Sequence, residues 1–100
     1  YETWAVKLWM DNEEGAYNAG LELARELWEQ AKAEKPFTRS ERARLDLSDR
    51  LKDDYQEAAP EVTGVWADLL NAALSEVNWM EIANAMLESE ELEGYEPETD

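Results

Sequence analysis

Past Lys52 the sequence contains no lysine, arginine or histidine. The stretch Asp53–Asp100 carries fourteen carboxylates and nothing to offset them. Histidine is missing from the whole chain, which removes the usual general base and the usual metal ligand together. Cysteine is missing too, so a disulfide framework and thiol chemistry are both excluded. No apolar run approaches the roughly 20 residues that cross a bilayer. No charged start, apolar run and small-residue cleavage site marks a signal peptide. A cytoplasmic protein is the default expectation. The chain begins at Tyr1 and not at Met, from which we expect further residues ahead of it in the natural product.

Catalytic signatures are equally scarce. No P-loop, dinucleotide fingerprint or nucleophile elbow occurs. Paired carboxylates serve glycoside hydrolysis, but that chemistry needs a deep sugar cleft, and a small helical domain has little material for one. The Glu-x-x-His motif of di-metal bundles is impossible without histidine. Carboxylate-only Mg²⁺ or Ca²⁺ sites stay open in principle. The run Asp11-Asn12-Glu13-Glu14-Gly15 looks slightly like a calcium loop, but its spacing is wrong. We expect no enzyme, no cofactor and no metal.

What is present suits one modest core. The 100 residues are 44% hydrophobic and include five tryptophans, enough for a single small domain. The formal charge is −16, nearly all of it after Lys52. Such a chain repels DNA, RNA and anionic lipid, because all of these are polyanions.

The periodicity predicts helices throughout and no strand. Residues 2–10, with Thr3 as N-cap, leave only Lys7 clearly polar, and a helix apolar nearly all round is a buried one. Asp11 or Asn12 caps a second helix over about 13–35, with Tyr17, Leu21, Ala24, Trp28 and Ala31 at helical spacing and Pro36 as its stop. Gly20 offers close approach to another helix, and Lys32 and Lys35 suit the negative end of the helix dipole. Thr38-Arg39-Ser40-Glu41 is a capping box opening a third helix over 39–59. Its apolar stripe (Leu47, Leu51, Tyr55, Ala58) is thin, which predicts a surface helix. Its charges run from basic to acidic, against the dipole, so something other than helix stability placed them. Thr63 caps a fourth helix with a strong apolar face of Trp66, Leu69, Leu70, Ala73 and Val77. Asn78 caps a fifth, with Trp79, Ile82, Ala83, Met86 and Leu87 buried and Val77 stapled to Ile82. Glu90, Glu91, Glu93, Glu96, Glu98 and Asp100 then form a frayed tail, with Leu92 and Tyr95 as docking points. The expectation is an all-α protein: a compact bundle of about five helices with a buried N-terminal helix. One helical domain covers 1–88 and an acidic tail 89–100.

Two stretches, ETWAVKLWMDNEEGAY (2–17) and ALSEVNWMEIA (73–83), resemble a family of small acidic helical proteins from phages, plasmids and bacterial genomes. Ala19 and Gly20 stand where that family often has a further aromatic. The resemblance implies a mobile-element setting and no established activity. The matched residues look like core and caps.

Three readings of the acid follow. In the first, the protein mimics nucleic acid. Duplex DNA presents one charge per about 1.7 Å of axis, and carboxylates three or four residues apart on a helix are spaced by about 4.5–6 Å of rise. Asp46, Asp49, Asp53 and Glu57 have that spacing, and Asp54 and Glu61 extend it. Asp68, Glu76, Glu81 and Glu88 form a secondary acidic field. The partner is then a basic nucleic-acid-binding protein, such as a CRISPR effector or restriction enzyme, by analogy of class with small acidic phage inhibitors. In the second, the acid is a solubilising or salt-adapted surface. In the third, the chain is a helical adaptor that binds protein through exposed Trp or Tyr. The oligomeric state is left open.

Overall fold

A computed structural model describes residues 1–98; Asp100, the last acid of the expected tail, lies outside the described residues. The chain forms α1 (Glu2–Asn12), α2 (Glu14–Gln30), α3 (Arg39–Ala58), α4 (Val65–Ser75) and α5 (Trp79–Ser89). Among the described residues there is no strand, only an isolated bridge between Glu34 and Phe37. The architecture is the all-helical bundle that the periodicity implies.

The centre of the bundle is α3, not a peripheral position as its thin stripe suggested. It packs along α5 and α2, and α2 also packs against α5. Its buried side holds Ser40, Ala43, Arg44, Leu47, Ser48 and Leu51. Small and polar side chains therefore do much of the packing, and a count of large apolar residues overlooks them. Ser48 satisfies its hydroxyl on the Leu45 carbonyl at 2.9 Å. The capping box is formed: Thr38 Oγ1 accepts from the Glu41 amide at 3.1 Å, and Glu41 accepts from the Thr38 amide at 3.0 Å. The bond from the Thr38 amide, with the Thr38 hydroxyl beside it, holds the Glu41 carboxyl below the usual carboxylate range.

The fifth helix buries all five residues expected of it. Ile82 and Leu87, with Leu47 of α3, are the largest fully enclosed side chains. Complete burial of each is worth about 1.5–3 kcal/mol. Asn78 is its N-cap, the side chain accepting from the Glu81 amide at 3.1 Å. Gly20 allows α2 to lie close to α5: a Cβ there would come within 2.6 Å of the Met86 methyl.

Several expectations are corrected. The second helix ends at Gln30, not near Lys35. Ala31 turns extended, and Trp28's carbonyl accepts from the Ala31 amide at 3.2 Å and from Arg39 at 2.8 Å. Lys32 and Lys35 thus lie outside the helix, in the turn before Pro36. Thr3 is not an N-cap. Its hydroxyl, inside α1, accepts from the Asn78 amide at 2.7 Å and ties α1 to the start of α5. The caps of α2 and α4 are Glu13 and Gly64, neither with a side-chain cap bond, instead of Asp11 or Asn12 and Thr63.

The N-terminal helix is not buried. Only Met10 of α1 is enclosed, while Trp4 and Trp9 are 59% and 71% exposed. Nor does α4 bury any residue, and its contact with the other helices is sparse. A chain of this size cannot surround helices that are apolar on every side.

Candidate functional site

The six acids singled out on and after α3 do not share one environment. Arg42 holds Asp46 at 3.4 Å and Arg50 holds Asp54 at 3.2 Å, both across one helical turn. These pairs neutralise two of the six locally. Asp49, Asp53 and Glu57 are exposed on the opposite side of α3 from Leu47 and Leu51, and Glu61 is exposed beyond the helix end. None of the four enters an ion pair among the described residues. Asp49 to Glu57 is eight residues, about 12 Å of rise. Duplex DNA presents about seven charges over that length, against three carboxylates here.

The secondary field is exposed but divided. Asp68 lies in the first turn of α4 and Glu76 at its end. Glu81 and Glu88 stand seven residues apart on α5, on the side opposite Ile82, Ala83 and Met86. They therefore face away from α3 and do not lengthen its strip. Among the described residues no three acidic side chains converge as metal ligands would.

The C-terminal segment is docked, not frayed. Gly94, at a positive φ of 87°, turns the chain so that Tyr95 meets Trp28 edge-on at 5.5 Å. The Tyr95 hydroxyl donates to Asn84 Oδ1 at 2.7 Å and accepts from Arg44 at 3.1 Å. Arg44 is only 7% exposed and also donates to the Glu96 carbonyl at 2.7 Å. Ser40 Oγ accepts from the Glu96 amide, and Asn84 Oδ1 accepts from the Glu98 amide. Arg25 holds Glu90 at 3.2 Å. Burial pushes the Tyr95 hydroxyl's pKa up, opposed by the Arg44 hydrogen bond and charge. Burial does the same for Tyr55, helped by the charge of Glu13. Leu92 and Tyr95 pack on the core, the two docking points expected of this segment.

The feature that the periodicity misplaced is apolar, since the faces of α1 and α4 were expected in the core. On α4, Val65, Trp66 and Leu69 face outward, Trp66 at 67% exposure. Val62 before the helix and Ala73 near its end are exposed as well. Tyr1, just before α1, and Trp4, Leu8 and Trp9 on it are exposed, and Tyr1 and Trp4 lie 6.0 Å apart. A shallow groove of about 510 Å³ runs from this pair to Asn78 and Glu81. The available signal was the width of the apolar arc: between Val65 and Leu74 only Asp68 and Asn71 are polar.

No family model, no curated protein and no solved structure matches the chain. Nothing in these comparisons bears on the resemblance expected for residues 2–17 and 73–83. Their roles divide: Met10, Val77, Trp79, Ile82 and Ala83 are core, whereas Trp4 and Trp9 are surface. No helix of the described residues is long and apolar enough to cross a membrane.

Proposed function

We propose that this protein is a non-catalytic binding module, a small acidic helical adaptor that grips a partner protein through tryptophans presented on α1 and α4. The observation that carries this reading is the exposure of Trp4, Trp9 and Trp66 together, on helices whose opposite sides supply little to the core. Contiguous exposed apolar patches of several hundred Å² on monomeric proteins commonly mark interaction sites. Tryptophan is also the residue that most often dominates binding energy at protein interfaces.

A second reading is nucleic-acid mimicry against a basic groove of a defence nuclease. It is favoured by Asp49, Asp53 and Glu57, solvent-facing at four-residue spacing without paired bases. Three carboxylates supply less than half the charge of the duplex they would replace, so this reading needs acids from other faces.

Capture experiments with the immobilised protein separate the two. The adaptor predicts a partner retained from low salt to about 0.5 M, since apolar contact is not screened, and lost when Trp4, Trp9 and Trp66 are changed to Ser. Mimicry predicts capture at low salt only, lost when Asp49, Asp53 and Glu57 are changed to Lys. Retention by the triple Ser variant would overturn the adaptor.

A further inference from the structure

We infer that the outer face of α4 is the docking surface for a basic amphipathic helix of the partner protein; this rests on the adaptor reading and assigns it a face and an occupant. The helix is apolar on two sides. Leu70 and Leu74 turn inward, and Leu74 packs on the core. Val65, Trp66 and Leu69 turn outward and are more than half exposed. Residues three and four apart are neighbours on a helix surface, so Val65, Leu69 and Trp66 form one continuous patch with Ala73. Its area is on the order of 400 Å², at the size where exposed apolar patches on monomers are commonly functional.

The charge around the patch selects the occupant. Asp68 and Glu76 are exposed on the helix that carries the patch and at its end, Glu61 is exposed four residues before it, and no base occurs anywhere after Lys52. A second copy would bring the same acids to the same border, on top of a formal charge of −16 per chain. A basic partner brings the complementary sign, which favours both encounter and register. The geometry selects a helix. The described residues contain no strand edge to extend, so recognition has to be side chain against side chain. Two helices do this by setting ridges into grooves. The eleven residues of α4 give about 16 Å of ridge, enough for about three turns of a partner helix read at its i, i+3, i+4 and i+7 anchors.

The probe is a fluorescein-labelled Leu/Lys peptide of about 18 residues patterned as an amphipathic helix, with a scrambled peptide of the same composition as control. Binding is read by anisotropy. The wild-type chain is expected to prefer the patterned peptide by at least about tenfold. Trp66→Ser with Leu69→Ser is expected to weaken it by about tenfold or more, and by more than Trp4→Ser with Trp9→Ser does on the α1 half of the gripping surface. Raising salt from about 0.05 M to 0.5 M is expected to weaken it by about three- to tenfold, the share of the acidic border. All four positions are exposed, so helical circular dichroism should be unchanged and the variants are interpretable.

Equal binding of patterned and scrambled peptides overturns the helix as occupant. Loss in the α1 variant alone overturns the choice of α4 but leaves the adaptor standing. Loss in neither variant overturns both. A dimer in sedimentation equilibrium that Trp66→Ser with Leu69→Ser dissolves also overturns the inference, because a second copy is then the occupant.

Discussion

Arg44 is the side chain on which the docked C-terminal segment depends, and replacing it with Met tests that directly. The guanidinium is almost fully enclosed, and its Nη1 serves two acceptors, the Tyr95 hydroxyl and the Glu96 carbonyl. Both acceptors are neutral, and Arg44 forms no ion pair among the described residues. Hydrogen bonds from a charged donor contribute about 1.5–3 kcal/mol each before offsets. Arg44→Met removes both and leaves the Glu96 carbonyl without its partner. It also removes a buried charge, and Met fills much of the space of the arginine stem. The C-terminal segment can swing into water, which caps the loss at what docking is worth. The net expectation is a loss of about 2–3 kcal/mol. For a domain of 100 residues, each kcal/mol moves the melting temperature by about 4–8 °C, so the midpoint should fall by about 10–20 °C.

Urea unfolding followed by tryptophan fluorescence measures the stability change, and a tyrosinate absorbance titration reports the segment. Tyr95 now titrates above its ordinary value because burial dominates. If Arg44→Met releases the segment, that titration should return to the ordinary range near 10. Tyr95→Phe should couple to Arg44→Met by more than about 0.5 kcal/mol in a double-mutant cycle, since the two side chains touch. A loss below about 0.5 kcal/mol, with Tyr95 still titrating high, would refute the idea that Arg44 anchors the segment.

Three further outcomes follow from the charge and the core. Raising salt from about 0.02 M to 0.5 M should raise the melting temperature, since a chain of net charge −16 repels itself and salt screens that repulsion; a flat or falling midpoint would count against it. For Tyr55 and Tyr95 the folded pKa lies above the unfolded one, so their contribution is intact below about pH 10 and is lost as pH rises through the folded value. Alkaline unfolding should therefore coincide with tyrosinate formation. Trp66→Ser should change stability by less than about 0.5 kcal/mol, whereas Trp28→Ala should cost about 3–5 kcal/mol, because Trp28 is buried with Arg39 at 3.8 Å over its ring and Tyr95 against its edge. Comparable losses at the two positions would mean that α4 is part of the core.

Local signals in the sequence were legible where one chemistry dominates. The Thr38–Glu41 capping box and the Asn78 cap are set by bonds within a single turn, and both form. The buried stripe of α5 is clean because its apolar residues occupy one face only. Reading failed where burial depended on partners far along the chain. Ser40, Arg44 and Ser48 look like solvent positions, yet Ser40 and Arg44 sit beneath residues 95 and 96, more than fifty positions away. The opposite error befell α1 and α4. Their composition says that they want burial, but whether a small domain has surface left to cover them is a property of the whole fold. Of the acidic strip, spacing revealed the face but not its neutralisation, since Arg42 and Arg50 pair with Asp46 and Asp54 from the same helix.

The segregation of charge acquires a structural part and a remainder. The backward polarity of α3 makes sense once the docked segment is in view. Arg39 closes the end of α2, and Arg44 receives Tyr95 and Glu96. Arg25 on α2 holds Glu90. Arg25 and Arg44 stand in the first half because the chain they hold comes last. That explains where the bases are, but not why, among the described residues, most acids after Lys52 are exposed and outside any ion pair. The exposed tryptophans supply a physical reason. An apolar patch such as that on α4 is a hazard in a concentrated solution, since copies meet patch to patch. Like charge around the patch raises the cost of that encounter while leaving a basic partner free to approach. On the adaptor reading proposed above, solubility and recognition are not competing explanations of the acid, because the carboxylates that keep two copies apart would also select which other protein can reach Trp66.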